Sequence, residues 1–117
     1  MGRCLAMAAL LCAASACEPA WSVQGQVRAE GTERPIRGAT AALHCPGIQD
    51  LSSTTDHDGL FELGGRGPGP ALECSVVIAA PAFAPASISL AQACEDARED
   101  APGGCEVAMV DAVLIRR

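Results

Sequence analysis

The stretch TTDHDGLFEL, residues 54–63, sets two acids and a histidine, Asp56, His57 and Asp58, directly before Gly59 and an apolar run. Two readings compete. A calcium loop would supply oxygen ligands in the pattern D-x-[DN]-x-[DN]-G with a later glutamate. Here the third acidic position is missing, because Gly59 follows Asp58 at once, and Glu62 falls too early for a bidentate ligand. Asp-Gly between two strand-like runs is instead a strong signal for a tight hairpin turn, since both residues tolerate positive φ. The stretch therefore predicts a sharp corner of a hairpin, with His57 an exposed turn residue.

Outward from this corner the chain alternates apolar and polar residues, as half-buried strands do. SVQGQVRA (22–29) points Val23, Gly25, Val27 and Ala29 to one face, and ATAALHC (39–45) does the same with Ala39, Ala41, Leu43 and Cys45. GTERPIRG (31–38) joins them as a turn-rich link, and PGIQD reads as a loop before LSSTT (51–55). In LFEL (60–63) Phe61 and Leu63 share a face. GGRGPGPA (64–71) reads as a loop without regular structure. LECSVVIAA (72–80) aligns Leu72, Cys74, Val76 and Ile78; ASISLAQAC (86–94) follows, its second half able to curl into a helical turn. EDAREDAPGG (95–104) is acidic and loop-like, and CEVAMVDAVLIRR (105–117) is a last strand whose inward phase stays open, being apolar on both faces.

Seven short strands with frequent turn signals predict an all-β fold, a seven-stranded antiparallel Greek-key β-sandwich. Its only aromatics are Trp21, Phe61 and Phe83, so the core is one of small aliphatic side chains.

The beginning, MGRCLAMAALLCAASACEPA, has the layout of a secretory signal: one basic residue, an apolar stretch too short for a comfortable span, and small residues at Ala14 and Ala16. Residues 1–16 are expected to be a signal peptide that enters as a helix, leaving 17–117 as one domain. AASAC resembles the bacterial lipobox, with Ala14 where leucine is usual, and this implies a lipid anchor on Cys17. Glu18 after Cys17 then favours the outer membrane; a plain signal would give a free periplasmic or secreted protein. Loss of Arg3 takes the net charge from −6 to −7, in a chain without lysine. Such a surface repels phosphate backbones, so no nucleic-acid partner is expected.

Two of the seven cysteines fall in the signal and one is Cys17. Cys45, Cys74, Cys94 and Cys105 remain, an even number at spacings too wide for a zinc site, and they read as two disulfides with three pairings open. Cys45–Cys74 with Cys94–Cys105 is preferred. Cys45 and Cys74 both lie on the inward phase, so their bridge could cross the core, and Cys94–Cys105 would staple the acidic loop.

VQGQV (23–27), PIRGATAALHC (35–45), STTDHDGLFEL (53–63) and CSVVIAAPAFAPASISL (74–90) together resemble, in order, the carboxypeptidase regulatory-like domain, a transthyretin-like sandwich. The family's usual Gly-Tyr pair reads Ala82-Phe83 here, so a different local turn is expected. The resemblance implies an accessory or adhesive module without catalytic residues. Transthyretin-like hydroxyisourate hydrolases carry a Tyr-Arg-Gly-Ser motif, and this sequence closes on DAVLIRR instead.

No serine-hydrolase elbow, H-E-x-x-H pair or catalytic-cysteine signature is present, and His44 falls on the outward phase of its strand. No catalytic residue, metal or cofactor is expected. The function expected is a non-catalytic cell-envelope lipoprotein that binds or supports an unidentified envelope protein or peptide, its oligomeric state open. A carbohydrate- or calcium-binding surface module is the alternative, and a small periplasmic hydrolase the third reading.

Overall fold

The computed structural model describes residues 20–95 and 104–117. The expected signal segment, Cys17 and most of the acidic stretch lie outside the described residues. Among the described residues seven strands follow one another: β1 (Ala20–Ala29), β2 (Thr40–Cys45), β3 (Ile48–Thr54), β4 (Leu60–Arg66), β5 (Ser75–Ala79), β6 (Ala86–Ser89) and β7 (Val107–Leu114). A one-turn helix, α1 (Leu90–Ala93), separates the last two, capped by the Ser89 hydroxyl, which accepts from the Ala91 amide. Among the described residues no helix is long and apolar enough to cross a membrane.

The strands form two sheets, β4-β1-β7 and β3-β2-β5-β6, packed as a sandwich. Alternation predicted the inner faces well. Val23, Val27 and Ala29 of β1, Ala41, Leu43 and Cys45 of β2, Phe61 and Leu63 of β4, and Val76 and Ile78 of β5 are all buried. The open phase of β7 is settled by its partner strand: Ala108, Val110, Ala112 and Leu114 face inward, and Val107, Met109, Asp111 and Val113 outward. A side chain at Gly25 would overlap the Val110 carbonyl oxygen, and the ring of its cross-strand partner Phe61 fills the space.

Four expectations about the strands need correction. The β1–β7 pair is parallel, not antiparallel. TTDHDGLFEL does not turn a hairpin: β3 and β4 belong to different sheets, so the corner carries the chain across the sandwich. β4 continues through Gly64 and Gly65 to Arg66, because the long β1 templates it and the Trp21 ring packs on Gly65. PGIQD is also not all loop, since β3 begins at Ile48 after a two-residue turn.

Both preferred disulfides are present, Cys45–Cys74 and Cys94–Cys105. The first does not cross the core. Cys45 and Cys74 sit opposite each other just past the last β2–β5 pair, His44 with Ser75, with Cα atoms 4.4 Å apart. That is the spacing of a non-hydrogen-bonded antiparallel pair within one sheet. The second joins the end of α1 to Cys105, two residues before β7, and so ties one sheet to the other.

Ala82 takes φ 71°, the left-handed conformation that glycine favours. The turn at Ala82-Phe83 therefore has a backbone that glycine would suit. It is held by Phe83, buried in the core, and by bonds from the Arg117 amide to the Ala82 oxygen and from Arg117 Nε to the Phe83 oxygen. Arg116 stacks on the Phe83 ring, 4.7 Å from its centroid.

Candidate functional site

At the corner, Thr55 is buried, and its hydroxyl donates to the Ile36 oxygen at 2.6 Å and accepts from the Ala39 amide at 2.9 Å. Asp56 then closes the turn. Its Oδ1 accepts from the amides of Asp58 and Leu60, both at 2.9 Å, while its own amide and carbonyl bond Leu60 and Gly59. Gly59 has φ 76°, and a Cβ there would lie 2.5 Å from the Val27 oxygen. The Leu60 amide is the largest influence holding the Asp56 carboxyl below its ordinary range, assisted by the Asp58 amide and His57, against a smaller desolvation.

Ligand atoms of Asp56, His57 and Asp58 lie within 4.8 Å of one another, all exposed. The Asp56 oxygen is already engaged by backbone, and His57 pairs with Asp58 at 3.4 Å. The second histidine does not join them. His44 is exposed on the outer face and meets Asp50 at 2.9 Å, at the far end of β3 from the corner.

A cleft of about 390 Å³ opens at that far end. Trp21, Leu43, Ile48, Leu51, Pro68 and Pro70 line it, and the Cys45–Cys74 bridge forms part of its wall. It exists because four strands face three. Leu51 pairs with the buried Leu43 and Ile48 with Cys45, so both belong to the inner face of β3. The opposite sheet ends before covering them, and Ile48 stays 67% and Leu51 44% exposed. Among the described residues, Glu73 is the only charged one on the lining.

Sequence reasoning missed this cleft. The available signal was a pair of leucine-class residues, Ile48 and Leu51, three apart in a stretch read as part loop; a β-bulge between Leu43 and Cys45 breaks the period-two rule there. A second, broader depression of about 740 Å³ is lined by Gln24, Gln26, Glu62 and Asp111 of β1, β4 and β7 and reaches Ser53, Thr54 and Asp56 at the corner.

No family model matches the sequence, and no curated protein does. Solved structures do. The dioxygenase domain of a dioxygenase carbohydrate-binding protein fusion from Streptomyces sp. SirexAA-E superposes with TM-score 0.59 at 17% identity, covering 90% of this chain and 85% of that one. Hydroxyquinol 1,2-dioxygenase from Pseudomonas putida DLL-E4 gives 0.58 at 14% identity, over 86% of this chain and 57% of its own. BcpA, the major pilin subunit of Bacillus cereus, gives 0.55 at 7% identity, over 85% of this chain and 31% of its own. This chain thus spans about three-fifths of the first dioxygenases it matches. At such identities the likeness shows the fold alone: a β-sandwich shared by enzyme domains and pilus subunits.

Proposed function

We propose that this chain is a non-catalytic binding module of the bacterial cell envelope, a carboxypeptidase regulatory-like sandwich that contacts a protein or peptide partner. In this reading it is exported and held at the outer membrane by a lipid on Cys17. The observation that carries it is the apolar cleft at the open end of the sandwich. Exposed aliphatic side chains beside a tryptophan and two prolines, backed by a disulfide, have the makeup of a recognition surface rather than of a reaction centre. Two disulfides suit an oxidising compartment.

A photo-crosslinking residue placed at Ile48, in the native envelope, is expected to trap a discrete protein that the same residue at Thr40 does not. Equal trapping at both positions, or none, overturns the proposal. Fatty-acid labelling lost on Cys17→Ala tests the anchor, and absence of label in the wild type removes it.

The grouping of Asp56, His57 and Asp58 favours a second reading, a cation site. Engagement of Asp56 by two amides weighs against it, and millimolar calcium is expected to move the melting temperature by less than about 1 °C.

A further inference from the structure

We infer that the cleft and the free edge of β3 form one site that takes an extended, basic peptide as an added strand. This rests on the binding-module reading and specifies its partner class. β3 is the terminal strand of its sheet, and among the described residues no strand pairs with its outer side.

The orientation of its backbone follows from the ladder. Cys45 and Cys74 form a non-hydrogen-bonded pair, so Leu43 directs its amide and carbonyl toward β3 and bonds Leu51. In the regular part of the ladder the alternate residues of β3, Ser52 and Thr54, then direct theirs away from the sheet, where an incoming strand would meet them. Such a strand would extend the four-stranded sheet to a fifth member, and every second side chain would fall on the inner face, over Ile48 and Leu51. The edge and the cleft thus demand the same ligand: main-chain donors and acceptors on one side, apolar side chains at alternate positions.

Charge decides between partners. Asp50, which His44 meets at 2.9 Å, is the only charged residue in β3, and Glu73 is the only charged one among the described residues of the cleft lining, in a chain of net charge −6. A second copy would bring acid against acid, whereas lysine or arginine between the apolar positions would fall on the outer face, beside Asp50.

Trp21 is the only tryptophan and the chain has no tyrosine, so intrinsic fluorescence reports the cleft directly. The probes are three capped eight-residue peptides: alternating valine and lysine, alternating valine and glutamate, and the valine–lysine peptide N-methylated at the lysine amides. The first is expected to shift Trp21 emission saturably to shorter wavelength. The N-methylated peptide should bind at least tenfold more weakly, and the glutamate peptide more weakly than the lysine one, by a margin that shrinks as salt rises.

On the protein side, Ser52→Pro removes an edge amide that the fold does not use, and Leu51→Thr removes apolar lining. Each is expected to weaken binding by about tenfold or more while circular dichroism stays that of the wild type. Should Ser52→Pro misfold, the N-methylated peptide makes the same test on unaltered protein. No response to any peptide, or equal affinity for the N-methylated one, overturns the inference. A wild-type dimer in sedimentation that Ser52→Pro dissociates would assign the edge to a second copy and overturn it too. If the Ile48 crosslink still traps its protein equally in Ser52→Pro, strand addition fails while the binding-module reading stands; loss of that crosslink in the wild type removes both.

Discussion

Thr55→Val is the most discriminating single change at the corner. Valine matches threonine in shape and is more apolar, so by burial alone it would be neutral or stabilising at a position 4% exposed. The hydrogen bonds predict the reverse. Removing the hydroxyl leaves the Ala39 amide without that acceptor beside a side chain at 0% exposure, and ends the 2.6 Å bond to the Ile36 oxygen. An orphaned buried donor costs about 1–3 kcal/mol and a lost bond about 1, giving roughly 2–4 kcal/mol in all. Thr55→Ser keeps the hydroxyl and loses one methyl, about 1 kcal/mol. At roughly 4–8 °C per kcal/mol for a domain of this size, the two variants separate clearly in a thermal or urea melt. The serine variant should be the more stable. A valine variant equal to wild type, or more stable than serine, would refute the claim that this hydroxyl holds the corner.

Replacing both cysteines of Cys45–Cys74 by alanine opens a loop of sequence separation 29, and of Cys94–Cys105 one of 11. The chain-entropy relation gives losses of about 3.6 and about 2.8 kcal/mol, so denaturant unfolding should rank the first pair as the larger; the opposite ranking would show that sheet-to-sheet tethering outweighs loop length. Ala82→Gly should raise stability by about 0.5–1 kcal/mol, the relief of a left-handed alanine less the extra freedom of glycine when unfolded; a loss in melting temperature would contradict the φ of 71°. Asp56→Ala should melt lower than wild type at neutral pH. Because the folded carboxyl lies below its ordinary 3.8, its contribution is full above that value and fades as pH falls below it, so the two melting curves should converge in acid. A constant gap would mean that charge at Asp56 plays no part.

The inner faces were legible because alternation is a local property: Val23, Val27, Leu43, Phe61 and Ile78 each announce their side without reference to a partner strand. What alternation cannot encode is which strand lies beside which. The parallel β1–β7 pair joins segments more than eighty residues apart, and the phase of β7, apolar on both faces, waits on that pairing. The corner shows the same division. Asp56-His57-Asp58-Gly59 reads correctly as a turn, because Asx bonding and positive φ are local, but whether the turn stays in one sheet or crosses to the other is decided by packing. The buried role of Thr55 was likewise invisible, since its partners Ile36 and Ala39 come from the preceding connection.

The cleft follows from the same non-local count. When four strands face three, one strand's inner face lacks a cover, and the position of that strand decides whether the gap is closed. At the β6 side the gap is closed: Leu90 turns fully inward and Cys94–Cys105 ties α1 to the approach of β7. At the β3 side it stays open, with Ile48 and Leu51 exposed. Edges left free are usually blunted by lysine, proline or several charges; β3, IQDLSST, has a single aspartate and neither lysine nor proline. The Cys45–Cys74 bridge stands at the base of this gap and fixes β2 against β5 where the apolar cover is thinnest. A cleft whose walls are cross-linked strands and prolines loses little conformational freedom when a ligand enters, so its binding free energy is spent less on ordering. An open edge, an uncovered apolar face and a rigid wall meeting at one end are costs to stability if the sandwich acts alone, and become assets once a strand is added there.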